Sequence, residues 1–177
     1  MNADTLGWAA TGLLTSVLAP ALLLATSPRI RWDRLALPAA LALPGFVAVH
    51  GLITVALAQH PPPLAWIGLH TPLLAGALIF WLPIFSRTRR LDDPLRVLYL
   101  FLAAPALDLA GLIVIVIGDA PGGIAMIVGM LPAGIISVAV TWQWIHHEEQ
   151  TIASNPEVGH WTTVTPIPAP DRFDDHQ

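Results

Sequence analysis

Few residues of this chain can bind or react. His50, His70 and Asp108 are ionisable groups set inside long apolar runs, where such groups are costly and therefore informative. Met126 and Met130, spaced i,i+4, add two thioethers on one helical face. Imidazole with thioether is a donor set that suits copper(I), whereas magnesium or calcium would need several carboxylates or carbonyls. The chain has no cysteine, which removes disulfides, thiolate ligands and thiol nucleophiles together. Each candidate also has a plain structural reading. A span histidine can hydrogen-bond a carbonyl across a helix interface, Asp108 can pair with a histidine or hydroxyl or relay protons, and methionine packs as a flexible filler. His60, beside three prolines, reads as a solvated loop residue; His146 and His147 read as interfacial.

Five apolar stretches, residues 7–26, 36–58, 64–85, 95–118 and 121–145, must position these groups, and each is long enough to cross the ~30 Å hydrocarbon core of a bilayer. Hydrophobic residues make up 55% of the chain and charged ones 11%, well below a soluble domain's usual share. The predicted fold is an all-α, multi-pass transmembrane bundle of five spans. Arg29, Arg31 and Arg34 fall between spans one and two, and Arg87, Arg89, Arg90 and Arg96 between spans three and four, while the other two loops carry no Lys or Arg. The positive-inside rule then places the N-terminus outside and the C-terminus inside. Trp8 and Trp66 fall at the outer boundary of this arrangement and Trp32, Trp81, Trp142 and Trp144 near the inner one, as interfacial indoles would.

Prolines within the spans predict kinked helices, with Pro72 and Pro105 the expected bends. The first apolar run has no basic residue before it, so it reads as a retained span rather than a cleaved signal peptide. Residues 1–150 form the expected membrane domain. Residues 151–177, rich in proline and acid, read as a disordered cytoplasmic tail. The net charge of −4 argues against nucleic-acid partners. No GxGxxG, Walker, HExxH or serine-elbow motif suggests an enzyme.

Counting 1.5 Å per residue, His50 lies about 12 Å and His70 about 9 Å below the outer ends of their helices, Asp108 about 15 Å, and Met126 with Met130 about 7–14 Å. Five candidate ligands therefore fall in one layer of the outer leaflet.

LTSVLAPALLLATSP (Leu14 to Pro28), HTPLLAGALIFWLP (His70 to Pro83), Arg96-Val97-Leu98-Tyr99-Leu100, and Met130-Leu131-Pro132-Ala133-Gly134 followed by Trp142 and Glu148-Glu149 come in an order, over residues 7–150, that resembles the CtaG-like cytochrome c oxidase assembly factors. It aligns His50, His60 and His70 with histidines of that family. Trp8 and Gly12 stand where the family usually has two histidines, Leu69 where a Glu is common, and the chain resembles a divergent, shortened member. The resemblance implies a non-enzymatic protein of the bacterial plasma membrane that assists assembly of a haem-copper oxidase and contacts its subunits; the residue chemistry adds copper(I), with His50, His70, Asp108, Met126 and Met130 as the candidate ligands. Two alternatives remain open at this point. One is a b-type haem protein with His50 and His70 as axial ligands; the other is a structural subunit of a respiratory complex.

Overall fold

The computed structural model describes residues 3–86 and 90–154. Helix α1 (Ala3–Leu13) runs through a π-helical stretch, Leu14–Leu18, into α2 (Ala19–Thr26), and together they form the first span. A 3-10 turn (Trp32–Arg34) precedes α3 (Ala39–Leu57), α4 (Pro63–Phe85), α5 (Asp93–Ile117) and α6 (Ala120–Ser154). The described residues thus contain five helices long and apolar enough to cross a membrane, as the hydropathy pattern predicts. Outward faces are apolar too: Leu52, Phe101 and Val116 are 72%, 74% and 85% exposed, a surface that suits lipid and not water.

The chain makes its turns with little side-chain capping. Prolines preset the first turns of α4 and α5, where a missing N–H costs nothing. Helix α5 ends on Gly118 at φ 112°, a left-handed position that glycine takes without strain. Asp119 then caps α6, its Oδ1 accepting the Gly122 N–H at 2.9 Å. His60 closes α3 with φ 50° and is followed by Pro61, so its place in the loop has a backbone cause.

The spans pack as a ring: α1 on α6, α6 on α5, α5 on α3, α3 on α4, and α4 back on α2. Glycines set the tightest crossings. A Cβ on Gly12 would strike the Met126 carbonyl, and one on Gly123 the Gly111 carbonyl, so α6 meets both α1 and α5 nearly backbone to backbone. Elsewhere large side chains fill the space. Phe80 packs against Phe46, Trp81 and Tyr99 at ring separations of 5.1, 5.2 and 5.4 Å.

Helices α4 and α5 are each continuous through Pro72 and Pro105, and within the described spans the α-helical register is interrupted ahead of Pro20, which the sequence did not single out. In the π register the Ala19 N–H reaches the Leu14 carbonyl, so the Thr15 carbonyl falls due to residue 20, and a proline has no N–H. The Trp81 indole N–H supplies the missing donor at 2.8 Å. Trp81 is therefore fully buried in the core; Trp8 is likewise buried, donating to Asp119 Oδ2 at 2.9 Å. Helix α6 continues to Ser154, and residues 155–177 of the expected tail lie outside the described residues.

Candidate functional site

The end of the bundle where α3 gives way to α4 and α5 to α6, the His60 end, holds most of the groups with chemical potential. By helical rise, Thr11, His50, His70 and Met126 all lie about 9–12 Å below this end, on four different helices. Met130 lies one turn deeper on the same face of α6 as Met126, and both thioethers are buried.

His50 sits in the middle of the buried face of α3, between Phe46 and Thr54. Its ring lies nearly parallel to Phe46, 12° and 5.4 Å away. Neither of its ring nitrogens has a hydrogen-bond partner among the described residues, and neither does Thr54 Oγ1 one turn on. Both residues are at most 1% exposed. An orphaned buried polar group costs about 1–3 kcal/mol, so this pair is either a defect or a site that something else completes.

His70 is satisfied where His50 is not. Its Nδ1 lies 2.8 Å from the Trp66 carbonyl, an acceptor, so Nδ1 carries a proton there. Its Nε2 lies 3.0 Å from the Thr11 hydroxyl, and the Trp66 ring covers it at 3.9 Å. Thr11 also reaches the Gly7 carbonyl at 3.0 Å. A ligand at Nε2 would displace the Thr11 hydroxyl onto an acceptor already in range.

Asp108 is half-buried beside the buried Leu107 and makes no hydrogen bond or ion pair among the described residues. It does not pair with either histidine. Also among the described residues, no three His, Cys, Asp or Glu side chains gather as a group able to hold a metal ion. The soft donors left near the depth of His50 are the two thioethers, carried by α6, while α3 packs on α4 and α5.

Two cavities, of about 270 and about 260 Å³, open side by side at the His60 end and share Trp8 and His60 as walls. The first is lined by Asp4, Thr11, Leu57 and Trp66, among them the residue that holds His70 and the residue one turn from Thr54. The second is lined by Asp119 and Gly118. Asp119 and Trp8 are site residues that sequence reasoning missed. The run Gly118-Asp119-Ala120-Pro121, a left-handed terminator, a cap and a proline in the first turn, was the available signal for the aspartate. Nothing in the sequence pointed Trp8 at it.

His146 and His147 are exposed on the far end of α6, where His146 lies against Trp142. They take no part in this layer. No family model, curated protein or solved structure matches this chain.

Proposed function

We propose that this chain is a non-enzymatic protein of the bacterial plasma membrane that assists assembly of a haem-copper oxidase by holding copper(I) inside the bundle. The arginine-rich end faces the cytoplasm and the His60 end faces outward. The observation that carries the reading is His50: a fully buried imidazole with both nitrogens unpartnered, in the layer of a fully buried thioether, Met126. His50 and Met126 are the first ligands, and Met130 and His70 the next. The protein supplies soft donors and a dry surround, which favour the +1 state. Copper is cargo here, and the cavities beside His60 are its entrance.

The haem alternative fits less well. A haem between His50 and His70 would need a slot between α3 and α4, and these helices are closed on each other where a Cβ on Gly76 would come within 3.1 Å of the Phe46 ring.

The test is a copper(I) titration of the protein in lipid nanodiscs against a competing chromogenic chelator. The wild type takes up one equivalent, and H50L and M126L each weaken uptake by about tenfold or more. Equal uptake by wild type and H50L would remove the site. Membranes of a deletion strain would then show the haem a band reduced and restored by wild type but not by H50L; an unaltered band would end the oxidase reading.

A further inference from the structure

The arginine-rich end of the bundle holds a second site, unrelated to the histidines. Up to the π stretch the first span follows α6; beyond it, α2 leaves α6 and packs on α4. The divergence opens a groove of about 530 Å³ between the first span and α6. Val17, Pro20 and Leu24 form one wall and Ile135, Ala139 and Val140 the other. From Ser16 to Leu24 the groove runs about 12 Å along the helix axis, within the depth of one leaflet.

Its two ends differ. The inner end, at Ser16 and Pro132, is near mid-span. The other end carries Phe85, Gln143 and Arg96. Arg96 lies three residues into α5, about 4.5 Å from the start of the helix. Its side chain is 7% exposed, and its Nε has no hydrogen-bond partner among the described residues. Asp93 answers one of its terminal nitrogens at 3.0 Å, but the same Asp93 oxygen also takes Arg90 at 2.9 Å; across this end Arg29, Arg31, Arg34, Arg90 and Arg96 stand against Asp33, Asp92 and Asp93, so positive charge is in excess. Arg29, Arg31 and Arg34 are exposed at the same end.

We propose that this groove is a binding site for one anionic phospholipid, with an acyl chain between α2 and α6 and the headgroup phosphate on Arg96. The groove is apolar toward mid-membrane and cationic at the interface, which is the polarity of a phospholipid in that leaflet. Guanidinium is suited to phosphate, and Arg96, which shares its one Asp93 oxygen with Arg90, lines the groove. A neutral lipid would fill the groove without answering the excess charge.

The experiment is native mass spectrometry of the full chain released from detergent after exchange into an equimolar mixture of phosphatidylglycerol and phosphatidylcholine. The wild type should retain one phosphatidylglycerol in preference to phosphatidylcholine. R96Q should lower that preference about tenfold. A139W, which fills the groove and leaves the Arg96–Asp93 pair alone, should lose retention of both lipids, so the proposal can be judged even if R96Q folds poorly. Equal retention of the two lipids by the wild type would overturn the proposal. So would phosphatidylglycerol retention by A139W at the wild-type level, or a lipid-insensitive dimer that A139W breaks, which would make the groove a seat for a second copy.

Discussion

The two halves of the bundle solve the same packing problem in different ways. At the His60 end, α6 approaches α1 and α5 through glycines, the backbones nearly touch, and polar groups bridge the helices: Trp8 to Asp119, Thr11 to His70, Ser16 to the Gly129 carbonyl at 2.7 Å. At the arginine-rich end the helices stand apart and aromatic side chains fill the space, with the Tyr99 hydroxyl donating to the Phe80 carbonyl at 2.8 Å. Lipid offers no hydrophobic drive between helices, so association rests on close contact and on satisfied polar atoms. The first half uses both devices and still leaves His50 and Thr54 without partners among the described residues. The second half gives up close contact on one side, and there a groove appears.

The strongest way to break the comparison is to spoil the backbone contact. G12L puts a side chain where the Met126 carbonyl and Gly129 backbone lie, neither of which can move without shifting a helix. The expected cost is about 3 kcal/mol or more, seen as loss of the monodisperse species on size-exclusion chromatography. G45L, which adds the same volume where nothing lies within 4 Å, should behave as wild type. If the two variants were equally well behaved, the glycine crossing would not be what holds the first half together.

The hinge between the halves can be tested at a single carbonyl. W81F removes the donor to Thr15 and should destabilise by about 1–2 kcal/mol, read as a lower thermal midpoint in detergent. P20A returns a backbone N–H at residue 20, so in that background W81F should cost clearly less. Equal cost in both backgrounds would mean that the indole acts by packing alone.

This hinge also shows where the sequence stopped being informative. Span number and approximate limits follow from apolar length, because lipid demands it, and the five runs match the five helices. Which proline interrupts a helix does not follow, since the outcome depends on whether a neighbour can serve the freed carbonyl; Trp81, on another helix, does so for Thr15. The layer of His50, His70 and Met126 was legible from helical rise alone. The contrast between the two histidines was not. Both read as span histidines at one depth, and only the ring order, which brings Thr11 of α1 to His70 of α4, satisfies one and leaves the other bare.

That contrast yields the smallest effects and the sharpest sign. H70F removes bonds to Thr11 and Trp66 and should lower stability by about 1 kcal/mol, in the range of polar contacts between membrane helices. H50F removes a polar ring that has no partner and puts an apolar ring of similar shape parallel to Phe46, so it should leave the thermal midpoint unchanged or raise it slightly. In nanodiscs free of added copper, the H70F midpoint should fall and the H50F midpoint should not. If H50F instead fell as far as H70F, His50 would be held by an ordinary structural bond, and the case for it as a ligand would lose its basis. If H50F were stable but blind to copper(I), while the wild-type midpoint rose with the metal, the orphaned imidazole would be a position kept for binding at the expense of stability.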